Sequence, residues 1–194
     1  MCNGVEGEAM KTKRAGALIA VVLAGLLSVS MPRANAQSNG MQHNQDRVSK
    51  EVYHELVMLP QLTIFDNLAY KIDGGKVTLL GQVRNAVLKD YAASAVKKIE
   101  GVESVDNQIE ILPPSPNDDR LRRQVARAIF NDDGLFQYSM GSVPPIHIIV
   151  KGGHVALEGV VNSQGDKDRA GIRANGVPGV FNVQNNLKVE QAGK

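Results

Sequence analysis

The feature that most limits what this chain can fold into is an internal duplication. Residues 68 to 111 laid over 146 to 189, at a constant offset of 78, agree at 13 of 44 positions without a gap. Gly74, Gly75, Val77, Leu79, Gly81, Val83, Lys89, Asp90, Ala92, Gly101, Val102, Val105 and Asn107 all recur. Asp46-Arg47-Val48 matches Asp119-Arg120-Leu121 at an offset of 73, so the second copy carries five extra residues ahead of its first strand. Gly141 to Pro145 is the natural place for them. A chain of 194 residues with such a repeat is built from two small units of one design.

Each copy reads helix, strand, strand, helix, strand. Val48, Val52 and Leu56, and likewise Leu121, Val125 and Ile129, recur every four residues, which puts an apolar stripe on one helix face. Leu68, Tyr70 and Ile72, and their counterparts Ile146, Ile148 and Val150, alternate as in a strand with one buried side. Gly74-Gly75 and Gly152-Gly153 supply the positive φ of tight hairpins, and Val77, Leu79 and Val83 resume the alternation. Gly81 and Gly159 sit on that inward row, where a missing side chain makes room for a helix or marks a bulge. Asn85 and Ser163 stand where helix N-caps are expected. Leu88, Ala92, Val96 and Ile99 stripe the second helix of copy one. Its counterpart is diluted by Gly165, Gly171 and Gly176 and should be the weaker helix. The class expected is α+β: two tandem αββαβ units, each a three-stranded mixed sheet with two helices packed on it. The stiff linker Pro113 to Asn117 should hold them close together.

Ahead of the repeats, Lys11, Lys13 and Arg14 precede an apolar run from Ala15 to Val29 and a small-x-small site at Ala34-Asn35-Ala36. This is the three-part pattern of a cleaved secretory signal, expected over residues 1 to 36, with Met10 a second candidate start. The run of 15 residues falls short of a membrane span. Residues 37 to 45 are expected to be a disordered polar lead, 46 to 112 the first unit, 118 to 190 the second, and 191 to 194 a tail. Removing 1 to 36 leaves 18 bases against 18 acids, so the +2 of the whole chain belongs to the leader. A bulk attraction to nucleic acid then has no support.

The strings GGKVTLLGQV (74 to 83) with GVESVDNQIEI (101 to 111), and GGHVALEGVV (152 to 161) with GVFNVQNNLKV (179 to 189), resemble the BON domain. Behind a signal peptide, two such units are similar to the dual-BON proteins of the Gram-negative periplasm. The resemblance implies an αββαβ fold, no enzymatic activity, and roles in envelope maintenance, osmotic stress and phospholipid binding. The five-residue insert and the Gly-rich second helix of copy two depart from that pattern.

For catalysis the chain offers no nucleophile set beside a base. Asp118-Asp119 and Asp132-Asp133 bracket a helix in expected solvated turns, with Asp119 as its N-cap. Asn107 and Asn185 should satisfy nearby backbone groups. His147 and His154 could approach across a hairpin, but zinc needs three or four ligands and the sole Cys, Cys2, lies in the leader, so no metal or cofactor is expected. The one local charge feature is the helix 119 to 130. There Arg120, Arg123 and Arg127 share a stripe opposite Leu121, Val125 and Ile129, with no acid between Asp119 and Asp132. Phe136 and Tyr138 follow at once. Together these five residues form a candidate surface for anionic phospholipid. The competing readings are aromatics that close the core, and a protein-binding adaptor for other envelope proteins using exposed sheet edges or the segment 135 to 140. A cell-wall glycan has no support from a chain without Trp.

Overall fold

The computed structural model describes residues 35 to 141 and 144 to 190. Residues 1 to 34 of the expected signal segment 1 to 36, and the tail 191 to 194, lie outside the described residues.

The first repeat comprises α1 (Asn35–Val57), β1 (Asn67–Asp73), β2 (Lys76–Val83), α2 (Ala86–Val96), β3 (Ser104–Asn107) and β4 (Glu110–Ile111). The second comprises α3 (Pro116–Phe130), a 3-10 turn (Phe136–Ser139), β5 (Ile146–Lys151), β6 (His154–Val161), α4 (Gln164–Asn175), β7 (Asn182–Asn185) and β8 (Lys188–Val189). This is the expected helix, strand, strand, helix, strand order twice over. In each sheet the middle strand pairs antiparallel with the one before it and parallel with the one after, β1-β2-β3 and β5-β6-β7. The third strand is broken in two, so β4 and β8 continue the parallel pairing one step further on.

The repeated asparagines explain the break. Asn107 Nδ2 donates to the Lys89 carbonyl at 2.9 Å and its Oδ1 accepts from Ile109 N, while Asn185 does the same with Lys167 (2.7 Å) and Leu187. Each side chain replaces the ladder bonds lost at the kink and ties the strand to a helix. Ile109 and Leu187 are thereby turned inward, both 1% exposed.

The helical stripes bury as their spacing dictates. Val48, Val52 and Leu56 meet Val77, Leu79, Leu88 and Val96 in one core. Leu121, Val125 and Ile129 meet Ile148, Leu157, Ala170 and Ala174 in the other. Each such side chain removed from water stabilises its unit by roughly 1.5–3 kcal/mol. Asn85 caps α2 by accepting from Val87 N, and Ser163 caps α4 by accepting from Asp166 N.

Several expectations need correcting. The polar segment 37 to 45, read as disordered, is helical, because extending a helix already nucleated around Val48 and Val52 costs far less than starting one. Gly81 and Gly159 do not admit a helix. Their φ values are +112° and +118°, and a Cβ there would collide with the carbonyl oxygens of Asn67 and Pro145 on the neighbouring chain segment. In the first hairpin only Gly74 adopts positive φ; Gly75 is small because the Glu103 side chain crosses it.

The two repeats meet along a seam. Ile148 N donates to the Ile64 carbonyl at 2.7 Å, Phe65 packs onto the second core, and Arg84 reaches Asp119 at 3.2 Å. Lys151 pairs with Glu110 nearby.

Candidate functional site

Helix α3 begins inside the proline-rich linker. Ser115 is its N-cap, accepting from Asp118 N at 3.2 Å, and Pro116 occupies the first turn, where a missing N–H costs nothing. The two acids read as solvated have other tasks. Asp118 is 2% exposed and accepts from Gly152 N and Gly153 N, both at 2.9 Å, so it fastens the β5–β6 turn to the helix. Asp119 is not a cap; it bridges Arg122 (2.6 Å) and Arg84 (3.2 Å).

On the opposite side, Arg120, Arg123 and Arg127 are all exposed. Arg120 donates to Asn117 and Gln124, both neutral. Among the described residues no carboxylate pairs with any of the three within salt-bridge distance. At 1.5 Å per residue the stripe runs about 10 Å along the helix. Arg122, which lies off the stripe and drew no expectation from the sequence, is 3% exposed and donates to the Val150 carbonyl at 2.6 Å, while its Nε is buried without a partner. Its spacing of three from Asp119 was the available signal.

The aromatic part of the expected surface divides. Phe136 is 56% exposed beside Met140 at 67%. Tyr138 is 5% exposed, its hydroxyl donating to Asp166 (2.9 Å) and accepting from Asn162 N (2.8 Å). Tyr138 therefore closes the core and is withdrawn from any surface role, because leaving that hydroxyl unpaired would cost more than its exposure returns.

Behind Phe136 lies Asp132, 5% exposed, which binds Arg173 (2.6 Å) and Arg169 (3.3 Å) of α4. Burial pushes its carboxyl up, but the hydrogen bonds from Arg173, the Gly134 N–H and Arg169 outweigh this and hold it below the ordinary carboxylate value. The clamp ties the turn that follows α3 to α4. Between the two helices runs an open groove of about 530 Å³ lined by Arg127, Ala128, Ile172, Arg173 and Val177. Ile172 is 72% exposed at its rim. Sequence reasoning missed Ile172 and Arg173, since they lie on the helix expected to be weak.

The two histidines do not meet. The register sets His147 opposite Glu158 and His154 opposite Lys151, four residues further along β5, about 13 Å by strand rise. His154 instead binds Asn182 at 2.6 Å and tilts against Phe181. No helix among the described residues is long and apolar enough to cross a membrane.

Comparison with known proteins accords with this geometry. The family model described as BON domain matches residues 45–113 and again 117–191. The Osmotically-inducible protein Y of Escherichia coli (strain K12) is 29% identical over 133 residues, covering 64% of this chain. The match spans 62% of that relative's length. Among solved structures, the C-terminal domain of CdsD, a structural protein of the type III secretion system of Chlamydia trachomatis, is aligned over 73% of this chain and 96% of its own, at 13% identity and a TM-score of 0.31. A second CdsD structure gives 16% identity and 0.28, and likeness at that level carries no argument. With both αββαβ units matched end to end by the same family model, the chain belongs to the BON-domain family.

Proposed function

We propose that this chain is a non-enzymatic protein of the periplasm, exported by its N-terminal signal, that serves envelope maintenance under osmotic stress by binding anionic phospholipid through its second repeat. The stress role rests on the relative named for osmotic induction. The observation that carries the lipid reading is the charge state of α3. Arg120, Arg123 and Arg127 are exposed on one stripe without carboxylate partners among the described residues, next to a groove rimmed by Ile172 and a turn bearing Phe136. Arginine forks suit phosphate oxygens, and apolar side chains beside them suit the interface below the headgroups.

The test is flotation of the mature chain with phosphatidylglycerol vesicles against phosphatidylcholine vesicles. Binding to the first alone, abolished by the combined Arg120→Glu, Arg123→Glu and Arg127→Glu variant, is the expected result. Unchanged binding by the variant would reject the stripe. Retention of envelope proteins with no vesicle binding would favour a protein-binding adaptor.

A further inference from the structure

Along the seam between the repeats lies a partly open cavity of about 280 Å³, distinct from the α3–α4 groove. Its wall is shared: Leu56, Leu62 and Leu68 come from the first repeat, and Pro144, Pro145 and Val160 from the second. The polar side chains in the wall are few. Tyr70 already exchanges hydrogen bonds with the hydroxyl and carbonyl of Ser49, leaving the Tyr53 hydroxyl, the Asn67 carboxamide and the His147 ring.

Charge sets this cavity apart. The α3–α4 groove contains Arg127 and Arg173, the trough on the open face of the second sheet contains Glu110, Lys151 and Glu158, and a shallow site on α4 contains Asp168. Among the described residues the seam cavity has no Lys, Arg, Asp or Glu in its lining. Burial pushes the His147 ring below its ordinary value and so favours its neutral form, while the backbone of Asp66 and Thr63 and the charges of Asp66 and Glu158 offset this only in part. An ion lying against this wall would shed part of its hydration with no counter-charge in the lining to offset the loss. An apolar molecule would lose nothing and would cover leucine and proline surface from both repeats.

We infer that the seam cavity is a binding site for a small, uncharged, largely apolar molecule bearing one hydroxyl group. The hydroxyl matches the few neutral donors and acceptors of the wall, because it both gives and accepts a hydrogen bond as a carboxamide does. Touching both repeats, such a ligand would stabilise their packing by mass action.

The experiment titrates the mature chain with 1-naphthol and, separately, with 1-naphthalenesulfonate, following methyl NMR signals and melting temperature. Expected are saturable binding of naphthol, contacts from its ring protons to the Leu68 and Val160 methyls, a raised melting temperature, and binding of the sulfonate at least tenfold weaker at this site. Val160 is 41% exposed, so Val160→Phe should fill the cavity without unfolding the chain and weaken naphthol binding at least tenfold. The methyl contacts in the unsubstituted chain test the site independently of that variant. The inference is overturned by absence of saturable naphthol binding, by sulfonate binding as tightly, by contacts to Ile172 in place of Leu68 and Val160, or by undiminished binding in a folded Val160→Phe chain.

Discussion

Set side by side, α1 and α3 show how one design yields two surfaces. At the helix offset of 73, Val48, Val52 and Leu56 become Leu121, Val125 and Ile129, and all six are buried. The outward stripe is basic in both, Arg47, Lys50 and His54 against Arg120, Arg123 and Arg127. The difference lies in the residues between. Copy one has Glu51 and Glu55, and Arg47 is taken up by Glu51 at 3.0 Å; copy two has Gln124 and Ala128 at those places. Two lost carboxylates turn a self-neutralised face into a free cationic one. The inner tie changes as well. Ser49 and Tyr70 join helix to strand through hydroxyls in copy one, whereas Arg122 reaches the Val150 carbonyl in copy two. A core shared by duplication thus leaves the polar positions free to diverge.

That contrast can be broken most forcefully at Asp118. Replacing it by Ala leaves the Gly152 and Gly153 N–H groups without their acceptor, and should lower stability by about 2–4 kcal/mol. Gln45→Ala, at the corresponding exposed place in copy one, should stay within about 0.5 kcal/mol, and urea unfolding compares the two. Next comes the charge stripe. Neutralising Arg120, Arg123 and Arg127 to Gln should weaken binding to phosphatidylglycerol vesicles about 100-fold, at roughly 1 kcal/mol per cation. The same changes at Arg47 and Lys50 should leave binding near that of the unsubstituted chain, and equal losses would erase the proposed division between repeats.

A third comparison uses pH. The His147 value is lower in the folded chain than in the unfolded one, so the unfolded state takes up the proton first. The stability set by the neutral ring is complete above about pH 6.5 and is lost as pH falls through the folded value. Melting temperatures from pH 7.5 to 5 should decline, and His147→Gln should flatten that decline; an unchanged slope would place its cause elsewhere. Asp132, also depressed when folded, gives its loss only further down, below the ordinary carboxylate range. The smallest effect expected is a gain. Gly165 lies in α4 with room for a methyl group, since a Cβ added there would have Ser163 Oγ as its nearest neighbour at 3.7 Å. Gly165→Ala should therefore add roughly 0.5–1 kcal/mol by calorimetry.

The architecture was legible because both periodicities were clean and stated twice. The apolar rows of α1 and α3 and the alternation through Val77, Leu79 and Val83 needed no tertiary information. The roles of Asn107 and Asn185 could be read for the same reason. What escaped was long-range polar pairing. Nothing local distinguishes Asp118, which binds a hairpin 34 residues away, from a solvated acid, or Tyr138 from an exposed aromatic such as Phe136. The partner that decides burial lies in another element. Arg173 and Ile172 were missed similarly, since glycines on α4 masked a helix that Asp132 and the sheet hold in place.

The kink at Asn107 and Asn185 bears on how such a chain avoids itself. Two copies of one sheet on a single polypeptide are each other's most compatible strand partners, and an uninterrupted outer edge would invite swapping between repeats or between molecules. Here one of the two edges of each sheet, the one opposite β1 or β5, is cut into pieces of four and two residues, with the asparagine turned back to a helix at the cut. Neither piece is long enough to template a foreign strand.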